Sequence, residues 1–309
     1  MQSDRTGALR RLVEDIVPRE RVHPDWPMAR ETTFRCGGPA DIFVRVADEK
    51  EIVALLRALK AAGAPWFLMG NGSNLLVRDG GLRGVVLQIG PAFGGTQVQG
   101  DTLRARAGTL LSQAARAAAD KALTGLEFAA GIPGTVGGGV FMNAGAYGGE
   151  LKDVLHSVRV LNPESGEIYT LAAEQMQMGY RHSRLGETGE IALEAAFKLA
   201  PGQQAAILAR MEELNARRRD KQPLEKGSAG STFKRPEGYF AGALIEQAGL
   251  KGFSVGPAQV SPKHAGFVVN NGGASAAQVL SVIEEVRRRV LENAGVALQC
   301  EVRIVGEDG

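Results

Sequence analysis

Three glycine clusters carry most of the chemical promise in this sequence. The first is Gly70, Asn71, Gly72, Ser73 and Asn74, directly after a short apolar run at 65–69. Small residues following a strand can aim several backbone N–H groups at one point, and such a nest binds phosphate oxygens. The same residues also serve ordinary tight turns. Position 75 is Leu75, so no GxGxxG dinucleotide fingerprint exists here, and the chain has no GxxxxGK[ST] loop. The second cluster spans Gly131, Ile132, Pro133, Gly134, Thr135, Val136, Gly137, Gly138 and Gly139, then Met142, Asn143, Ala144, Gly145 and on to Gly149. This composition predicts neither helix nor strand. It suits a flat ring system lying against bare backbone, or a long surface loop. The third cluster is Gly227 to Lys234, which sets Ser231 in a glycine-rich turn beside Lys234. A serine so placed usually satisfies its own backbone, and it becomes a proton donor only where a ligand approaches. The absence of a GxSxG elbow speaks against serine hydrolase chemistry.

The rest of the composition narrows the class. The chain has 309 residues, 44% of them hydrophobic and 23% charged, with a formal net charge of +2. That length supports two or three domains. Neither the balance nor the distribution of charge gives nucleic acid a basic stripe. No run approaches the roughly 20 apolar residues of a membrane span, and the N-terminus lacks a signal-type apolar core. A cytoplasmic protein with no membrane insertion is therefore expected. Cys36 and Cys300 lie far apart without CxxC spacing, which favours two reduced thiols over a disulfide. His23, His156, His182 and His264 show no metal-ligand spacing, so no metal is expected.

The elements that must position these clusters alternate between strand and helix. Apolar periodicity predicts helices over 8–17, 50–62, 110–123, 203–219, 240–248 and 275–293. The last has Ser275 as its cap and Gly295 as its end. Strands are expected at 41–46, 65–69, 84–89, 102–107, 154–162, 167–171, 191–199, 254–260, 265–270 and 298–305. The strands at 154–162 and 167–171 read as a hairpin. The order is α+β, or α/β of mixed order, with breaks near 95 and 200.

Taken in chain order, further segments join the glycine clusters. They are Thr32-Thr33-Phe34-Arg35 with Gly37 to Asp41, Gly70 to Leu76, Gly125 to Glu150, and Tyr180-Arg181-His182-Ser183. Gln222-Pro223, Gly227 to Lys234, Gln259-Val260-Ser261 with Lys263-His264-Ala265, and Glu301-Val302-Arg303-Ile304 follow. Over nearly the whole chain this series resembles the UDP-N-acetylenolpyruvoylglucosamine reductase family, in its shorter type. The resemblance implies an α+β chain: a two-subdomain FAD-binding fold of the vanillyl-alcohol-oxidase type plus a C-terminal α+β substrate-binding domain. In those terms 1–30 is an N-terminal extension, 31–95 and 96–200 are the FAD-binding subdomains, and 201–309 binds substrate, its final strand free to return to the FAD-binding part.

The resemblance further implies non-covalent FAD, NADPH as reductant and a UDP-sugar as substrate. Neither N-terminal glycine cluster carries a His or Cys, which fits a flavin without a covalent anchor. Arg181 would meet the substrate carboxylate or enolate in two-point fashion, Ser231 would donate the proton, and Glu301 would be the third catalytic residue. Residues 70–74 would hold the FAD diphosphate. Gly131, Ile132, Pro133, Gly134, Gly137, Gly138, Asn143, Ala144 and Gly145 would lie near the flavin and ribityl chain. Lys234 and Arg235 would bind substrate. Arg235 stands where the family usually has Asn, and it is assigned to the UDP diphosphate. An oxidase of the same fold and a non-catalytic flavin- or UDP-sugar-binding protein are the rival readings. The combination of Arg181, Ser231 and Glu301 speaks against both.

Overall fold

The computed structural model describes residues 2–309. The chain divides into two compact units, each assembled from three separate stretches. One holds the residues up to His23 with Ile42–Asn71 and Gly84–Arg218. The other holds Pro24–Asp41, Gly72–Arg83 and Arg219–Gly309.

In the first unit, the helix Glu49–Ala61 forms because its sequence meets every local requirement. The Asp48 side chain accepts from the Glu51 N–H at 2.9 Å, capping the start. Ile52, Leu55, Leu56 and Leu59 recur at helical spacing and are all buried. They pack with Val44, Val85 and Leu87 in one core. The associated sheet includes the strands Leu82–Gln88 and Trp66–Met69. The two are parallel, and Trp66–Met69 delivers the chain to Gly70.

A second sheet in this unit is antiparallel throughout, in the order Ile168–Ala172, Leu155–Leu161, Ile191–Lys198, Thr102–Arg106, Thr96–Gln99. Leu171, Val158, Ala195 and Ala105 lie opposite one another across four strands and are all buried. This row faces the helices Leu111–Ala119 and Val136–Met142, whose apolar residues share its core. Arg159 on this sheet makes a two-point bond to Glu49 at 2.8 and 2.9 Å. That pair fixes the helix Glu49–Ala61 to the strand Leu155–Leu161.

The second unit is built on the helix Ala276–Ala294. Ser275 caps it, and Gly295 at φ +67° ends it, as the sequence leads one to expect. Asp79 reinforces the start by accepting from the N–H groups of Ala276 and Ala277, each at 2.8 Å. Val279, Val282, Ile283, Val286 and Val290 form its buried stripe. A three-stranded antiparallel sheet of Ser254–Val255, Ala258–Val260 and Val268–Asn270 packs with it. The strand Arg303–Val305 runs parallel to Leu75–Val77.

The structure corrects several expectations. The glycine segment does contain a helix, Val136–Met142, and a pair of two-residue strands at Gly145–Ala146 and Gly149–Glu150. Glycine costs a helix about 1 kcal/mol per residue relative to alanine, so packing must compensate. It does so because the glycines admit close neighbours. A Cβ on Gly137 would lie 2.9 Å from that of Ala107, and one on Gly139 would lie 3.0 Å from Leu151 Cδ1. The expected strand 254–260 is broken by a turn at Gly256, φ +55°. The expected strand 298–305 is regular only at Arg303–Val305. The strands Val22–Pro27, Leu75–Val77 and Thr96–Gln99 carry no clear alternation and were not anticipated. Cys36 and Cys300 are free thiols.

Candidate active site

Within the first unit, two of the motifs come together through Asn143. This residue ends the helix Val136–Met142 in the left-handed conformation, φ +45°, and is fully buried. Asparagine is one of the few residues that tolerates that conformation. Its Nδ2 donates to Glu150 Oε2 at 2.7 Å and to the Gly179 carbonyl at 3.0 Å, while its Oδ1 accepts from the Lys152 N–H at 3.0 Å. The side chain is thus spent inside the protein. Its part is to tie the glycine segment to the turn that carries Arg181.

That turn is tightly held. Gly179 and His182 exchange backbone hydrogen bonds at 3.1 and 3.2 Å, and Ser183 Oγ donates to the Phe141 carbonyl at 2.7 Å. Arg181 sits between these anchors at φ +53°, a left-handed conformation that a residue other than glycine adopts at a cost. Its guanidinium lies 5.1 Å from the centre of the half-exposed Tyr180 ring. A strained backbone locked by flanking hydrogen bonds fixes where the Cα–Cβ bond of one cationic side chain points.

The first glycine cluster and the second also meet. Asn71 Nδ2 donates to the Pro133 carbonyl at 2.6 Å. A Cβ on Gly70 would lie 2.4 Å from Thr135 Oγ1, so only glycine fits there. Thr135 in turn caps the helix Val136–Met142 by accepting from the Gly138 N–H. Gly138 itself is exposed, and beyond the Thr135 hydroxyl at 3.5 Å its missing side chain opens on empty space.

Within the second unit, the segment that follows Ser231 runs antiparallel to the one that holds Glu301. Glu301 N–H donates to the Thr232 carbonyl at 2.9 Å, and Lys234 N–H donates to that of Gln299 at 2.8 Å. Phe233 and Cys300 face each other in this antiparallel pairing. The buried Thr232 hydroxyl accepts from the Val268 N–H at 2.9 Å and anchors the pair to the sheet. Asn74 joins the same place. Its Nδ2 donates to the Glu301 carbonyl at 3.1 Å, and its carbonyl accepts from the Arg303 N–H at 3.0 Å. Arg235 lies next along the chain, folded over Phe240 with its guanidinium 4.0 Å from the ring centre.

Some contributors escaped the sequence reading. Thr33 is one: its N–H donates to the Gly72 carbonyl at 3.2 Å, its carbonyl accepts from Ser228, and its buried Oγ1 has no partner among the described residues. Buried polar groups are rarely left so, and an unsatisfied hydroxyl beside the Gly72 turn calls for a ligand atom or water. Asn270 is another. Its Nδ2 donates to the Phe34 and Arg35 carbonyls at 3.0 and 3.1 Å, and its Oδ1 accepts from Gly272 and Ala274. Arg218 is a third, half-buried against Gly131, where burial pushes its guanidinium below the ordinary arginine value. The Arg-Arg-Arg run at 217–219 was visible in the sequence, yet nothing there singled out which arginine turns inward. Burial likewise pushes His264 below the ordinary histidine value, and its Nδ1 accepts from the Gly266 N–H at 3.1 Å.

Known proteins match this arrangement. An FAD binding domain model covers residues 40–172. A model for the C-terminal domain of UDP-N-acetylenolpyruvoylglucosamine reductase covers residues 222–305. A UDP-N-acetylenolpyruvoylglucosamine reductase of Clostridium perfringens (strain SM101 / Type A) is 47% identical over 298 residues, 96% of this chain and 97% of the relative. One of Agathobacter rectalis is 50% identical over 307 residues, again 96% and 97%. The chain belongs to the UDP-N-acetylenolpyruvoylglucosamine reductase family. The crystal structure of the reductase from Thermus caldophilus superposes with a TM-score of 0.78 at 38% identity, covering 90% of this chain and 97% of that one.

Family membership makes the chain an FAD-containing, NADPH-using oxidoreductase of the peptidoglycan route. The residues at hand fit the cofactor. None of the backbone N–H groups of Gly70, Asn71, Gly72 and Ser73 is spent on another described residue, which leaves donors for a diphosphate. In the first unit the open face at Gly138 leaves room for a ring system, and in the second the unsatisfied Thr33 hydroxyl calls for a ligand atom or water. Every glycine assigned to the reductase's flavin falls within the FAD binding model, whereas Ser231, Lys234, Arg235 and Glu301 fall within the C-terminal one. Arg181 lies between the two. Among the described residues no helix is long and apolar enough to cross a membrane.

Proposed function

We propose that this chain reduces the enolpyruvyl ether of UDP-N-acetylglucosamine enolpyruvate to the lactyl ether of UDP-N-acetylmuramate. The observation that carries the reading is the pairing of 232–234 with 299–301, which brings the segment next to Ser231 against the backbone of Glu301, beside Asn74. FAD, when bound, supplies to the substrate the hydride that NADPH provides. Residues 70–74 would hold its diphosphate with backbone N–H groups, and residues 131–138 with 143–145 would lie near the flavin and ribityl chain.

The substrate's vinyl ether is conjugated to a carboxylate. Hydride arriving at the terminal vinyl carbon, C3, leaves negative charge at C2 and in the carboxylate. Arg181 engages that carboxylate from a turn whose backbone is already locked by hydrogen bonds. Donors of this kind are worth about 3–4 kcal/mol in a dry site. Ser231 gives its proton to C2. A hydroxyl is a weak acid, but an enolate is a strong base and alignment does the rest. Water reprotonates Ser231 between turnovers. Glu301 carries a proton or is bridged by a donor, because a bare carboxylate would repel the enolate. Lys234 and Arg235 bind the substrate as cations. We place the enzyme in the cytoplasm, where NADPH and UDP-sugars are found.

Stopped-flow kinetics on Ser231→Ala test the reading. NADPH should bleach the flavin of the variant at the wild-type rate, whereas reoxidation by the enolpyruvyl sugar should slow by at least 10²-fold, about what a lost general acid costs. Normal reoxidation would remove Ser231 from its role. A wild-type flavin that NADPH reduces but the sugar does not reoxidise would remove the substrate.

A further inference from the structure

We propose that Phe240, with the Arg235 guanidinium lying over it and Tyr239 beside it, is the platform on which the uracil ring of the UDP-sugar stacks. This rests on the substrate reading above and deepens it.

Phe240 is 63% exposed and Tyr239 49% exposed, adjacent in sequence and among the few large apolar side chains left open to solvent. Exposed aromatics on a floppy loop would mean little. These two are held. Tyr239 N–H donates to the Pro236 carbonyl at 3.2 Å, closing a turn through Gly238 at φ +75°. Arg235 Nε donates to the Tyr239 carbonyl at 3.4 Å. Phe240 begins the helix Ala241–Gln247, and its carbonyl accepts from the Leu244 N–H at 3.1 Å. Ala241, Leu244 and Ile245 of that helix are buried in the unit's core. The backbone beneath both rings is therefore anchored at each end.

The surface so presented is flat, aromatic and cationic. A guanidinium 4.0 Å from the ring centre is in the stacking range of a cation–π pair. An apolar protein partner would have to desolvate that cation, whereas a nucleobase gains from both the ring and the charge. The order along the chain agrees. From Ser231 the segment continues through Lys234 to Arg235, and the pairing with 299–301 holds residues 232–234 extended. The substrate has the same sequence of parts: enolpyruvyl group, diphosphate, uracil. Proton donor, cation and platform thus follow one another as the ligand's own groups do.

Dissociation constants of the holoenzyme for UDP and for inorganic diphosphate, measured calorimetrically, decide the matter. Base stacking on one aromatic ring implies that Phe240→Ala weakens UDP binding by about 5- to 150-fold. Inorganic diphosphate should bind Phe240→Ala as it binds the wild type, and Phe240→Trp should restore UDP affinity. Phe240→Leu, which keeps the apolar bulk but not the ring, should behave as the alanine variant does. Unchanged UDP affinity in Phe240→Ala, or an equal loss for both probes, would overturn the platform. Turnover of the enolpyruvyl sugar by the wild type separates the two levels. If the wild type reduces the sugar while Phe240→Ala keeps its UDP affinity, only the platform falls. If the wild type leaves the sugar unreduced, the substrate reading falls with it.

Discussion

Cys36 is fully enclosed beside Asp79, the carboxylate that caps the helix Ala276–Ala294. Burial first, and the Asp79 charge second, push its thiol up to about 12. The folded protein therefore binds that proton more tightly than the unfolded chain, whose thiol titrates at about 8.5. Stability from this source is complete below the unfolded value and drains away as pH rises toward the folded one. The slope in that window is up to about 1.4 kcal/mol per pH unit. Other groups titrate there too, so the difference between wild type and Cys36→Ala is what counts. Urea unfolding at pH 7.5, 9 and 10 should show the wild type losing stability relative to the variant as pH rises. A difference that stays flat would mean the thiol is not held protonated. At this scale the sequence was informative about identity and silent about environment. Ser231 and Glu301 could be named from their motifs, but nothing in the sequence says that Thr33 keeps an unsatisfied buried hydroxyl or that Asn143 spends its whole amide on the protein. Such facts depend on partners far away along the chain.

The helix Val136–Met142 separates two jobs that its glycines do at once. Gly137 and Gly139 face inward, where Ala107 and Leu151 leave no room for a Cβ. Gly138 faces outward into open space. Gly137→Ala should lower the melting temperature of the flavin-free protein by several degrees, since overpacking costs about 1–3 kcal/mol. Gly138→Ala should leave that melting temperature unchanged or raise it slightly, because alanine is the better helix former by up to about 1 kcal/mol. The same Gly138→Ala should weaken FAD retention, measured by flavin release on dilution, because its methyl fills the space proposed for the cofactor. An alanine at 138 that retains FAD fully would take the ring away from this face. The contrast also explains what periodicity could and could not reveal. The helices Glu49–Ala61 and Ala276–Ala294 announce themselves through buried stripes and caps. A Gly-Gly-Gly helix violates local propensity and exists only through tertiary packing, so the residues around it had to be known first. Short strands such as Leu75–Val77 are hidden for a related reason: their pairing partner, Arg303–Val305, lies at the far end of the chain.

That long-range pairing sets the terms for the molecule as a whole. The second unit is not the C-terminal segment alone, although the match at 222–305 and a break near 200 invite that view. It borrows Pro24–Asp41 and Gly72–Arg83. Those stretches supply the strand Leu75–Val77 for Arg303–Val305, the Asp79 carboxylate for the start of the helix Ala276–Ala294, and the Phe34 and Arg35 carbonyls for Asn270. Phe34, Cys36 and Leu76 are also part of its core. A fragment of residues 219–309 would lose all of these at once. It would expose the apolar face of its longest helix and leave the buried Asn270 amide with donors unpaired, at about 1–3 kcal/mol for each lost bond. A domain of this size has only about 5–15 kcal/mol in total to lose. The fragment should therefore show poor amide dispersion in a ¹⁵N–¹H spectrum and no cooperative thermal transition. Fusing residues 24–41 and 72–83 to it through flexible linkers should restore a cooperative transition. A well-dispersed spectrum from 219–309 alone would show instead that the borrowed strand, cap and carbonyls are dispensable, and that the unit's core is sufficient without Phe34, Cys36 and Leu76.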